Sequence, residues 1–319
     1  MTGGRIPADA DSFKRRPDQF PGGIFFYRDK SMVPFTYYMG FDDLTPEQRV
    51  VMLDEFAVSG GKNLVLTDSL LAQFCGSPKL RKVVYQQIEN AGLKLIDAHA
   101  PFGPECDLML PDDMRQLGMA RQRLVLEFVR EAGVDTCCFH LGNAPAFMQY
   151  TLDELHTFIC RTLEILLKWA EELKITICIE NIFKPLNTVS EILTLLKKFD
   201  SPYLGVCYDA GHANIMEKGM NFPDSRPWGQ WEGRGDVEWE SDVLGKLLPY
   251  IVNCHLHDNF ASQDEHALPG KVSINWQQTI GMLKQAPRLK SMQSEVIPLR
   301  GGVSTRRLIE TWESVLKNN

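Results

Sequence analysis

At 319 residues with 44% hydrophobic content, the chain can bury a large core and still fall within the size of one α/β barrel. A net charge of -7 argues against a general nucleic-acid-binding surface. No apolar run reaches the roughly 18 residues a membrane helix needs, and the polar opening MTGGRIPADADSFKRRPDQFPGG has no apolar stretch of the secretory kind. Residues 1–22 are expected to form an N-terminal arm and 23–319 a single catalytic domain. Of the eight cysteines, Cys137, Cys138, Cys178, Cys207 and Cys254 lie in apolar, strand-like runs, and no CxxC pair occurs. That usage predicts buried thiols and a reduced, cytoplasmic setting.

In chain order, short β-rich runs at 23–27 and 34–38 come first, the second being the candidate for strand 1. Thr45-Pro-Glu-Gln then opens a helix with an N-cap, a proline at N1 and a capping-box glutamine, and that helix ends at Gly60-Gly61. Strand patterns follow at 62–67, 94–99, 134–140, 175–180 and 203–209, then one ending at His255 and one over 291–295. The apolar run 247–252 is expected to belong to the seventh strand. Helical patterns lie between them at 79–91, 112–132, 151–173, 188–199, 274–285 and 305–317. This eight-fold strand–helix alternation predicts a single (β/α)₈ TIM barrel. No GxGxxG follows the first strand, so no nucleotide cofactor is expected. The segment 216–240, with Trp228, Trp231 and Trp239, reads as a long loop after strand 6. As a lid or an oligomer contact, it would be compatible with a homo-oligomer.

Six of the eight strand patterns end in a potential metal ligand: His99, His140, Glu180, Asp209, His255 and Glu295. Active sites of (β/α)₈ barrels are built at the strands' C-terminal ends. A lone buried carboxylate is costly, and three carboxylates with three imidazoles at one rim are best reconciled by a bound divalent cation. The stretch 253–270 concentrates three of the seven histidines, and within it Asp264 and His266 are spaced to turn back towards His255.

The ordered set HAPFGP at 99–104, FHLGN at 139–143, IEN at 179–181, YDAGHAN at 208–214, HLHDN at 255–259, DEHALPGK at 264–271 and SEV at 294–296 resembles the xylose-isomerase-like TIM barrels. These include ketose 3-epimerases and endonuclease IV. The epimerase branch implies one divalent metal (Mn, Zn, Mg or Co) on Glu180, Asp209, His255 and Glu295. It also implies that Glu180 and Glu295 shuttle the proton of a small sugar and that His212 meets a substrate hydroxyl. The endonuclease IV branch implies three zinc ions on nine ligands, all matched here: those four with His99, His140, His212, Asp264 and His266. Ketose epimerases carry an arginine at the position of His266, so the metal count stays open between the branches.

His257, Lys271 and Arg300 join His212 and His266 as candidate substrate contacts, Lys271 and Arg300 because barrel loops after strands 7 and 8 often hold phosphate. Phe102 and the three loop tryptophans are candidate stacking groups, whereas His156 and Trp276 are expected to be structural. The expected activity is a metal-dependent sugar isomerase or epimerase with one catalytic metal. The alternative is a multi-zinc phosphodiester hydrolase on abasic DNA. Scattered basic residues and acidic or mixed rim loops favour a small-molecule sugar substrate over nucleic acid.

Overall fold

The computed structural model describes residues 33–41, 44–270, 272–299 and 302–318. The expected arm (1–22) and the β-rich run at 23–27 lie outside the described residues. From Val33 onward the chain forms one compact unit. Its eight strands are β1 (Phe35–Tyr37), β2 (Asn63–Leu66), β3 (Lys94–Ala98), β4 (Thr136–Phe139), β5 (Thr176–Glu180), β6 (Leu204–Asp209), β7 (Ile251–Leu256) and β8 (Met292–Ser294). All pair in parallel, in the order β3-β2-β1-β8-β7-β6-β5-β4. The two end strands meet only through a bridge between His99 and Cys138, reinforced by the Ala100 N–H donating to the Cys138 carbonyl at 2.9 Å. The result is a nearly closed TIM barrel, as the alternation predicts.

The helices begin where the capping signals lie. Thr45 caps α1 (Pro46–Val58) in a capping box with Gln48, and Thr151 caps α5 (Leu152–Leu173) in a second with Glu154. Gly92 and Gly133, with φ of 70° and 77°, turn the chain out of α3 (Pro78–Asn90) and α4 (Asp112–Glu131). The other long helices are α6 (Val189–Phe199), α10 (Trp276–Leu283) and α11 (Thr305–Lys317). Among the described residues, no helix is long and apolar enough to cross a membrane.

Three local expectations change. Thr67 caps a helix that the sequence pattern did not suggest, α2 (Asp68–Gly76). The apolar run before His255 is helical at first: α9 (Val243–Leu247) and a 3₁₀ turn precede Ile251, since Pro249 has no N–H to give to a sheet. The segment 216–240 contains the end of α7 (Ala210–Lys218), a 3₁₀ turn and α8 (Arg226–Gln230). It packs on its own barrel: Trp231 is buried and donates to the Phe183 carbonyl at 3.3 Å, and the Arg234 guanidinium donates to the carbonyls of Ala144 and Tyr150.

Side chains two residues apart on a strand share a face, so each rim position implies the side chain beneath it. Under His99, His140, Glu180, Asp209, His255 and Glu295 lie Asp97, Cys138, Cys178, Cys207, Asn253 and Gln293, all fully buried. A bulge that skips Ile96 in the β2–β3 pairing turns Asp97 inward. Its carboxylate accepts from Thr136 Oγ1 at 2.7 Å, Asn253 Nδ2 at 2.9 and 3.0 Å, and Ser291 Oγ at 2.8 Å. One carboxylate thus ties together β3, β4, β7 and β8 across the barrel floor. Asp97→Ala would leave those donors without an acceptor. At about 1–3 kcal/mol per buried orphan, urea unfolding should show a loss of about 3 kcal/mol or more. A loss below about 1 kcal/mol would contradict this account.

Candidate metal centre

The six rim residues converge at one end of the barrel. In the sheet register Asp209 pairs with His255, and Glu180 pairs with Cys207. The His255 Nδ1 lies 3.5 Å from Glu180 Oε1, 3.1 Å from Glu295 Oε1 and 4.0 Å from Asp209 Oδ2. On the other side of Glu180, Oε2 is 3.1 Å from His140 Nε2 and 3.6 Å from His99 Nε2. A third group forms around Asp264, whose Oδ2 lies 3.3 Å from both His212 Nε2 and His266 Nε2. Glu180 borders all three groups, since its Oε1 is also 3.2 Å from His212 Nδ1.

Burial opposes the ionisation of His99, Glu180, Asp209, His212 and His255, and their neighbours outweigh it. His255 is raised well above its ordinary range by Glu295 and Glu180. His212 is raised by Asp209 and Asp264, and His99 by Cys138 and Glu180. Conversely, His255 and His140 hold Glu180 well below the usual carboxylate range, and His212 and His257 lower Asp209. Protons on imidazoles therefore supply the positive charge that four close carboxylates require.

The same atoms fit a divalent cation. Both ring nitrogens of His255 are buried without a hydrogen bond of acceptable geometry. In His99, His212 and His266 the Nδ1 is tied to a main-chain carbonyl, of Ala100 at 2.8 Å, Asn181 at 3.0 Å and Glu295 at 3.0 Å. That bond fixes the tautomer and frees each Nε2 as a donor, the arrangement that supports ligating histidines. Donor atoms of Asp209, His255 and Glu295 lie within 4.8 Å of one another, as do those of Asp209, His212 and His257.

Loops complete the arrangement. Asp209 also caps α7, accepting from the His212 N–H at 2.6 Å, so one residue ends β6 and orients the helix carrying His212. Asp258 accepts from the backbone N–H groups of Asn259, Gly270, Val272, Ser273 and Ile274 and from Trp276 Nε1. This cradle folds 258–276 back and returns Asp264 and His266 to the mouth, with His266 at a left-handed φ of 48°. His257 is fully buried behind the rim, 3.2 Å from Asp209 Oδ2, and stacks on His266 at 4.0 Å. A Cβ on Gly211 would meet its ring at 1.9 Å, so glycine is required there.

A cavity of about 270 Å³ opens above the centre. His99, His140, Glu180, His212, Asp264, His266 and Glu295 line it, whereas His257 does not. Lys271 and Arg300 lie outside the described residues. Phe102 is on the wall, stacked on His140 at 4.4 Å. Trp228 packs on Trp239 and Trp276 on Trp312, all away from the cavity. His156 pairs with Glu191 at 2.6 Å between α5 and α6, a structural contact. Missing from the sequence reading are Tyr38, Asp68 and Lys184 on the wall. Tyr38 donates to Asp68; Tyr38 directly follows β1, whereas Asp68 opens α2, one residue beyond the Thr67 that ends the second strand pattern. Lys184 is lowered by burial, against the upward pull of Asp107, Glu180 and Asp264.

His266 is raised to about 9, because its hydrogen bond to Asp264 and the charges of Asp264 and Glu295 overcome its burial. A histidine raised in the folded state stabilises fully below its unfolded value of about 6.5 and loses that contribution as pH rises through about 9. Chelator-treated protein should therefore melt at progressively lower temperature from pH 6.5 to 9. Metal affinity should rise over the same span, because ligation needs neutral imidazoles. A flat melting profile for the metal-free protein would contradict the protonated network.

Known proteins agree with this architecture. The model of the xylose isomerase-like TIM barrel family matches residues 76–288. An uncharacterized protein of Methanocaldococcus jannaschii, MJ1311, is 24% identical over 244 residues, covering 75% of this chain and 77% of the relative. Among solved structures, a D-tagatose 3-epimerase-like protein superposes with a TM-score of 0.64 at 19% identity, over 89% of this chain and 98% of its own. A xylose isomerase-like TIM barrel protein from Mycobacterium smegmatis, in complex with magnesium, gives a TM-score of 0.65 at 13% identity, over 90% and 97%. With two thirds of its length matched and the histidine- and carboxylate-bearing strand ends converged on one rim, the chain belongs to the xylose isomerase-like TIM barrel family.

Proposed function

We propose that this protein is a divalent-metal-dependent isomerase or epimerase of a small ketose, polyol or related carbohydrate. The observation that carries the reading is that Glu180 and Glu295, whose Oε1 atoms lie 3.5 and 3.1 Å from the same His255 Nδ1, both line one cavity of about 270 Å³. Glu180, Asp209, His255 and Glu295 would hold the cation. Bound there, it would supply a Lewis acid that lowers the barrier to removing a carbon-bound proton. One glutamate takes that proton and the other returns it to the opposite face or a neighbouring carbon. Gln293 donates to Glu295 Oε1 at 3.0 Å and orients that carboxylate from below. His212 and His266 face the substrate, while Phe102, Ile182, Phe183 and Ile297 offer an apolar wall to its carbon–hydrogen face. A cavity of about 270 Å³ whose wall sets these four apolar side chains among acidic and basic ones suits a small sugar better than a phosphate backbone.

A second reading, a multi-zinc hydrolase acting on abasic DNA, is favoured by the prepared Nε2 donors of His99, His212 and His266 and by the grouping around Asp264. Metal analysis of protein purified without added metal separates the two. One ion per chain, with turnover of a ketose panel, is expected; three zinc ions with cleavage of abasic DNA would replace the first reading by the second.

Glu180→Gln and Glu295→Gln should each lower turnover by about 10²- to 10⁴-fold, the range for losing a proton-transfer group, with an unchanged circular dichroism spectrum. Near-normal turnover in either variant would remove the two-glutamate mechanism.

A further inference from the structure

Directly beneath the rim, the inward position of β4 below His140 is Cys138, a fully buried thiol. Its Sγ lies 3.2 Å from Glu180 Oε2, to which it donates. His99 and His255 flank the same space, their rings stacked at 5.4 Å and 25°. The donor atoms of His99, Cys138, Glu180 and His255 all lie within 4.8 Å of one another, and all four residues are buried. Two nitrogens, one oxygen and one sulfur around a dry point form a donor set that zinc accepts readily. Hard cations such as magnesium and manganese favour all-oxygen surroundings over a thiolate.

The neighbouring thiols are placed differently. Cys178 donates to its own strand's Thr176 carbonyl, and Cys207 packs with Cys178, Val252 and Cys138 itself in a small cluster under the site, without reaching Glu180 as Cys138 does. Of these three cysteines, only Cys138 falls within a group of donors close enough to share an ion.

We propose that Cys138 is a sulfur ligand of the metal centre, forming with His99, Glu180 and His255 a four-donor site selective for zinc or cobalt over magnesium or manganese. This rests on the metal-dependent reading above and extends it: Glu180 and His255 belong to both donor sets, so the sulfur-containing set is a deeper seat for the same single ion, with His99 and Cys138 in place of Asp209 and Glu295. Ion entry displaces the thiol proton, which leaves to solvent.

Zinc X-ray absorption on the full-length, zinc-loaded protein tests it. Wild type should show a sulfur shell at about 2.3 Å. Cys138→Ser should keep its zinc but lose that shell, and Cys207→Ala should retain it. In competition titrations Cys138→Ser should bind zinc about 10- to 100-fold more weakly, with manganese affinity little changed. A wild-type spectrum with nitrogen and oxygen shells alone overturns the sulfur ligand and leaves the metal-dependent function standing; it does so whether or not the variant folds. A sulfur shell that survives in Cys138→Ser overturns it as well, by assigning the sulfur to another thiol. Protein that takes up no zinc at all removes the metal-dependent reading and the sulfur ligand with it.

Discussion

Four carboxylates, Glu180, Asp209, Asp264 and Glu295, are held within a few ångströms of one another at the top of the barrel, with little water to screen them. Like charges at that distance in a low-dielectric interior repel by several kcal/mol unless positive charge is supplied. Everything around the rim answers that demand. Imidazoles face each carboxylate, and backbone carbonyls orient three of those imidazoles. Their protons can be exchanged for a cation without moving the framework. The site is thus organised as a charge vacancy that either protons or metal can fill.

That organisation is held from below and behind by carboxylates that never reach the cavity. Asp97 joins four strands under the rim, and Asp258 gathers the backbone of 258–276 so that Asp264 and His266 arrive at the mouth. His257 fills the gap behind Asp209, and Gly211 leaves room for its ring. These residues make contacts too specific for generic core positions, and their loss would be felt at the rim before it was felt in the core.

The barrel and the convergence of its six rim residues were legible in the sequence, because both depend on local period. A parallel strand writes an apolar run, and its C-terminal end is marked by the first side chain that could bind a metal. The geometry bringing Asp264 and His266 back was legible only as a turn; what enforces it, Asp258, looks like any loop acid. Tyr38 and Asp68 escaped notice because the first strand pattern ends in a phenol rather than an imidazole or carboxylate, and the second ends in Thr67, with Asp68 already inside α2. Helices α7 and α8 were hidden in a run rich in glycine and proline, where propensity favours a loop and the burial of Trp231 against Phe183 decides otherwise.

The barrel's ring of strands is not uniformly fastened. Most neighbouring strands share two to four register pairs, whereas β1 and β2 share one, Tyr37 with Leu64, and β3 and β4 meet at one bridge, between His99 and Cys138. His99 and His140 stand on opposite lips of that seam, and both reach Glu180. Whatever occupies the space between them therefore acts as a rivet across one of the two least-stitched joints of the cylinder. Loading the site and latching the barrel become one mechanical event. An empty site leaves the first three strands free to breathe away from the fourth, so local opening, amide exchange and protease attack should concentrate along this line.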